Sequence, residues 1–170
     1  MEEKDPVPLK IFNASAGSGK TYHLVKEYIE LLIGDGRSID SFANIIAMTF
    51  TNKAAIEMKE RIIAALDEIS SPEKFKNKAD HLTFEIAADI DVESNIVILR
   101  CKKVLKLILH RYEDFHVMTI DKFNLRLIKS FARDLDLPAD FEVVLDETAL
   151  IERIVDDLFN QLGEEGNRNL

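Results

Sequence analysis

The sequence predicts an α/β fold, a parallel sheet flanked by helices, with a helical insertion and a helical carboxy end. Three observations predict it. Short apolar runs alternate with longer stretches whose apolar residues recur at helical spacing. A run of small residues joins the first such strand to the first such helix, and residues 72–112 carry helical spacing with no strand between.

In chain order, Pro8 to Asn13 reads as a short buried strand, and Ala14 to Gly19 forces a turn. Lys20 to Ile33 follows as a helix with apolar positions Leu24, Tyr28, Leu31 and Leu32, ended by Gly34, Asp35 and Gly36. Asn44 to Phe50 is a second apolar strand, and about Asn52 to Ile69 its helix. Ser70, Ser71 and Pro72 break the chain. Two helical stretches then run to roughly Asp89 and from about Glu93 to Tyr112, which make up the insertion. Phe115 to Ile120 reads as a third strand and Asp121 to Ala132 as its helix. A turn around Pro138 leads to a last amphipathic helix from about Glu147 to Leu162, and Gly163 to Leu170 is polar, as at a frayed end or a cut.

The 170 residues, 46% of them hydrophobic, suffice for one substantial core and are too few for two full domains. Glu2, Glu3 and Asp5 stand where a secretory signal needs a basic end, and Arg100, Lys102, Lys103 and Lys106 interrupt the most apolar stretch, Ile96 to Leu109. Neither export nor a membrane span is expected. Cys101, the one cysteine, lies in an apolar helical pattern as a buried thiol does, which fits a reducing cytoplasm. The net charge of -9 comes from one end: Met1 to Arg133 holds 20 acidic and 20 basic residues, and Asp134 to Leu170 holds 11 acidic residues against Arg153 and Arg168. A neutral body can present a basic face, so the overall charge neither favours nor excludes a nucleic-acid partner.

Ala14-Ser15-Ala16-Gly17-Ser18-Gly19-Lys20-Thr21 lies between the first strand and the first helix, the context that makes a phosphate-binding loop of a glycine-rich pattern. Glycines at 17 and 19 let the backbone curl so that successive N–H groups face one anion, and the positive end of the helix adds to the same field. Ser15, Ala16, Gly17, Ser18, Gly19, Lys20, Thr21 and Tyr22 are therefore the candidate nucleotide-binding residues. Lys20, the candidate catalytic residue, can reach the β and γ phosphates of ATP, and the Thr21 hydroxyl can ligate Mg²⁺. Ala14 replaces the glycine of the strict pattern at a position that need not have positive φ.

Two further segments carry a family resemblance. Ala47-Met48-Thr49-Phe50-Thr51-Asn52-Lys53-Ala54-Ala55, with Glu57, Met58 and Arg61 beyond it, resembles motif Ia of superfamily 1 helicases of the UvrD/Rep/RecB group. Met118-Thr119-Ile120-Asp121-Lys122-Phe123 resembles the family's next DNA-contact motif, with Asp121 where a histidine is common and Lys122 where a serine is common. A carboxylate at 121 would repel phosphate. The early phosphate loop, Leu135-Asp136-Leu137 and Phe141 to Glu147 are more similar to the RecB/AddA branch than to UvrD itself.

The resemblance covers Ile11 to about Leu158, apart from the insertion, and implies a RecA-like P-loop NTPase fold. Residues 1–145 would be the first, incomplete motor domain, carrying the insertion at about 72–112, and residues 146–170 the truncated start of a helical inserted domain. Asp146-Glu147 reads as helix capping rather than as a Walker B pair. Completion of ATP hydrolysis would then fall to groups downstream. The resemblance implies a motor in which two RecA-like domains close on ATP around single-stranded DNA. In that scheme Phe50 offers a stacking face, and Thr51, Asn52, Thr119 and Phe123 contact the strand. The partners implied are single-stranded DNA and a second RecA-like domain of the same chain; a nuclease domain and a partner helicase–nuclease subunit could accompany them. A small P-loop nucleoside or nucleotide kinase is the alternative, but it requires an arginine-rich lid, and the arginines of the later half are scattered.

Overall fold

The computed structural model describes residues 11, 19–34, 37–75, 80–138, 141 and 151–159. Of the expected first strand only Ile11 is described, exposed and in no strand; the rest of it, the loop residues Ser15 to Ser18, the acidic pair Asp146-Glu147 and the polar tail lie outside the described residues. Two compact units are present, Met1–Phe123 and Asn124–Leu170.

The first unit holds helix α1 (Lys20–Ile33), strand β1 (Ala47–Thr49), helices α2 (Asn52–Ser70), α3 (Asp80–Asp89) and α4 (Ser94–His110), and strand β2 (Val117–Thr119). It ends in the first turn of helix α5 (Ile120–Ser130). Among the described residues the fold is mostly helical, and its sheet is the parallel pair of β1 and β2 in the register Ala47–Val117, Met48–Met118 and Thr49–Thr119. Parallel neighbours need a long crossover, and α2, α3 and α4 provide it.

α2 is the spine of the unit. Met58, Ile62, Leu66 and Ile69 recur at three- and four-residue spacing and bury one stripe. α4 answers with Val97, Cys101, Val104 and Ile108, and α1 with Val25, Tyr28, Ile29 and Leu32. Phe42 and Phe115 close the core from the turns that lead into the two strands. Cys101 is fully buried and its thiol is pushed up to about 12 by burial, which keeps it un-ionised and inert at neutral pH.

The lysines of the insertion divide from its arginines. Lys102, Lys103 and Lys106 are exposed on α4, whereas Arg100 crosses to α1 and donates from Nη1 to the carbonyl of Ile33 at 2.7 Å. A cation on the last carbonyls of a helix complements its dipole, so α4 fixes the carboxy end of α1. Arg111 instead donates from Nε to Asp114 at 2.8 Å, within its own turn.

In the second unit, α5 runs on from Asn124 into a turn in which Leu135 N–H donates to Phe131 O at 3.0 Å and Leu137 N–H to Ala132 O at 2.9 Å, with Asp136 at φ 53°. A further helix, α6, occupies 151–159 with every residue exposed. No described helix is long and apolar enough to cross a membrane.

Candidate functional site

Gly19 opens α1 in the left-handed region, φ 78° and ψ 16°, and its carbonyl accepts the first helical hydrogen bond from His23 N–H at 3.1 Å. Open space surrounds the place of a Cβ there, so the backbone angle alone selects glycine. Lys20 is exposed and Thr21 half-buried on the first turn, both at the positive end of the helix. The left-handed turn ahead of an uncapped helix start, followed by Lys20 and Thr21, fits a magnesium–nucleotide site. Of the expected nucleotide-binding residues, Gly19, Lys20, Thr21 and Tyr22 are described and stand together at this start; Ser15, Ala16, Gly17 and Ser18 lie outside the described residues.

Tyr22 does more than continue the loop. Its hydroxyl donates to Glu85 of α3 at 2.7 Å, and burial, then Glu85, push the phenol up to about 12. Lys26, one turn on, reaches Asp89 at 2.6 Å, Glu85 at 3.7 Å and Glu30 at 3.8 Å. The bond to Asp89 leads the causes that raise the Lys26 ammonium. Glu30 is raised to about 7 by burial and by its hydrogen bond with Asp89. Two i,i+4 pairs, Lys26/Glu30 and Glu85/Asp89, thus face each other across α1 and α3. Sequence reading missed this seam, although both spacings were visible in it. Beside it a pocket of about 400 Å³ opens from Thr21 and Tyr22 toward Arg61 and Glu68 of α2 and His81 of α3.

The second group of expected residues sits where β1 and β2 end. The strands are parallel, so Thr49 and Thr119 terminate at the same edge, where ligands of open α/β sheets bind. Phe50 follows Thr49 with 87% of its surface exposed. Thr49 Oγ1 donates to Thr51 O at 3.0 Å, and Thr51 Oγ1 accepts Ala54 N–H at 3.1 Å, which caps α2. These two bonds fix the backbone on either side of Phe50 and hold its ring out. Asn52 is exposed on the first turn of α2.

Thr119 is placed differently. Only 4% of it is exposed, and its hydroxyl accepts Lys122 N–H at 3.2 Å, so it caps α5 from beneath the surface. Phe123 is half-buried. The edge therefore brings Phe50, Thr51 and Asn52 to the surface together, with Thr119 as internal support.

The profile of the UvrD/REP helicase N-terminal domain matches residues 8–169. The chain belongs to that family. This UvrD/REP-type domain is 32% identical over 165 residues to an ATP-dependent helicase/nuclease subunit of Limosilactobacillus reuteri, covering 94% of the chain and 10% of the relative. The protein of the same name from Clostridium botulinum strain Hall is 32% identical over 159 residues, covering 92% of the chain and 10% of the relative. That of Clostridium kluyveri is 30% identical over 156 residues, with 91% and 10% covered. The chain thus spans about 10% of the length of these relatives. No solved structure matches it. Family membership implies a RecA-like P-loop fold, of which the described residues hold the two-stranded parallel part.

Proposed function

We propose that the chain is the first motor domain of an ATP-dependent DNA helicase or translocase, one that takes MgATP at the start of α1 and single-stranded DNA at the edge of β1 and β2. Residues 1–145 form the RecA-like part and residues 146–170 begin a helical inserted domain. The whole protein acts within a helicase–nuclease in DNA repair and recombination, in the cytoplasm, with a second RecA-like domain of its own chain and a partner protein. Membership of the UvrD/REP family and likeness to proteins named as ATP-dependent helicase/nuclease subunits support the reading.

The observation that carries it is Phe50. Phe50 leaves 87% of its surface in water, more than any other large hydrophobic residue described, and the bonds of Thr49 and Thr51 fix the backbone on either side of it. A nucleobase can cover its ring, and stacking accepts any base, as a motor that moves along DNA requires. In this reading Ser15 to Tyr22 wrap the phosphates, Lys20 neutralises the β and γ phosphates, and Thr21 holds Mg²⁺, which supplies charge to the transferred phosphoryl group. Thr51 and Asn52 meet the strand beside Phe50, and Thr119 with Phe123 supports it from β2 and α5.

Phe50→Ala tests the reading. Affinity for an oligo-dT strand is expected to fall by about 1–3 kcal/mol, with nucleotide affinity and melting temperature unchanged. Equal DNA affinity for variant and parent would return Phe50 to an ordinary surface role.

A further inference from the structure

We propose that Glu30 of α1 and Asp89 of α3 hold one proton between them and form a pH-sensitive latch, which fastens the insertion to α1 while the proton stays and slackens when it leaves. Lys26 brings the groups together: its Nζ lies 2.6 Å from Asp89, 3.7 Å from Glu85 and 3.8 Å from Glu30. One ammonium thus faces three carboxyl groups from two helices. With all three ionised, negative charge would outweigh Lys26 three to one. Glu30 is the one placed to stay neutral. It is the least exposed of the three, and its Oε1 is buried with no hydrogen-bond partner among the described residues. A buried oxygen without a partner costs far more on a carboxylate than on a carboxylic acid. Glu30 and Asp89 also stand in the last turns of their helices, where the negative end of the dipole disfavours two ionised carboxyls.

The titration agrees with the geometry. Burial first, and the bond with Asp89 next, hold the Glu30 carboxyl up at about 7, while Lys26 pulls the other way. Below that value the acid of Glu30 donates to the Asp89 carboxylate, which Lys26 also holds. Above it two carboxylates meet across the seam and repel. The other charged groups around α1 do not replace the proton. Glu27, on α1 itself, adds to the negative field. From α4, Arg100 donates to the Ile33 carbonyl at 2.7 Å, and from α2, Arg61 and Glu68 line the pocket at the opposite end of α1. On α3, His81 Nδ1 faces Glu85 at 3.6 Å. What the latch guards is that pocket beside Thr21 and Tyr22, because α3 supplies His81 and Leu82 to its wall.

Two measurements on the 170-residue chain test the latch. An NMR titration of the side-chain carboxyls should show Glu30 changing at about pH 7 in the parent, and at lower pH in Asp89→Asn, which removes the charge that repels it. Hydrogen exchange of the α3 amides, corrected for the intrinsic effect of pH, should lose about tenfold in protection between about pH 6 and about pH 8.5 in the parent. Glu30→Gln keeps a donor toward Asp89 that does not titrate, so its α3 protection should hold steady over that range. His81→Asn should behave as the parent. A Glu30 carboxyl that titrates below about pH 5, in the ordinary carboxylate range, would overturn the latch. So would α3 protection in Glu30→Gln that falls with pH as the parent's does. Steady protection in His81→Asn would transfer the effect to that histidine and overturn it as well.

Discussion

The seam between α1 and α3 and the edge of β1 and β2 belong to one compact unit and are built on opposite plans. At the seam, each polar group that leaves α1 meets one from α3: Tyr22 with Glu85, Lys26 with Asp89 and Glu85, and Glu30 with Asp89. At the edge, the hydrogen bonds serve only the backbone, and the largest side chain, Phe50, is left uncovered. The seam is closed on itself, as suits the helix whose first turn the proposed function aims at a phosphate. The edge is finished below and open above, as suits a surface that awaits a ligand. What the two share is α2, which packs against α1 on one side and lies under the strands on the other.

The contrast can be broken by attacking what is common to both. Leu66→Ala removes a fully buried side chain of α2, and the domain should lose about 2–5 kcal/mol of stability in chemical denaturation, with both sites weakened together. A smaller effect should separate them. Arg100→Ala removes the charge-assisted bond to Ile33 O and should cost about 1–2 kcal/mol, loosening α1 without moving DNA affinity. Tyr22→Phe deletes one hydrogen bond of the seam and should cost about 1 kcal/mol or less, again without effect on Phe50.

The subtlest prediction is a pH dependence. Glu30 is held near 7 in the fold, well above the usual carboxylate value of about 4.3 in an unfolded chain. Its proton is therefore bound more tightly by the folded state, and the stability this gives is complete below pH of about 4.3 and is lost as pH rises through 7. Denaturation of the parent and of Glu30→Gln at about pH 5 and about pH 8 should show the variant gaining on the parent at the higher pH, on the order of 1 kcal/mol. A difference independent of pH would mean that Glu30 is ionised throughout.

Much of this fold was legible in the sequence. The spacing of apolar residues placed α1 at Lys20–Ile33 and α2 within a residue of its end, because long amphipathic helices announce themselves through periodicity. The strands were read longer than they are: Asn44 to Phe50 shortened to Ala47–Thr49, and Phe115 to Ile120 to Val117–Thr119. Apolar flanks such as Ile45 and Phe115 belong to the core through turns rather than through sheet pairing, which an apolar run cannot distinguish.

The sites were legible as motifs and not as contacts. The motif text singled out Phe50 and Thr119 alike, yet one is exposed and the other buried, because Phe50 lies one residue past the end of β1 while Thr119 is still the last residue of β2, and successive residues of a strand face opposite ways. Motif text was likewise silent about Glu85 and Asp89, which act on α1 from the insertion that no motif covers.

The central claim is that one unit carries two separable sites, nucleotide at the start of α1 and single-stranded DNA at the end of β1. Isothermal titration of MgATP and of oligo-dT into the parent, Lys20→Ala and Phe50→Ala tests it most directly. The account predicts that Lys20→Ala loses nucleotide binding at least about 100-fold and keeps its DNA affinity, while Phe50→Ala does the reverse with the smaller loss given above. Folded variants that lose both ligands together, or a Lys20→Ala protein that binds MgATP as the parent does, would contradict it.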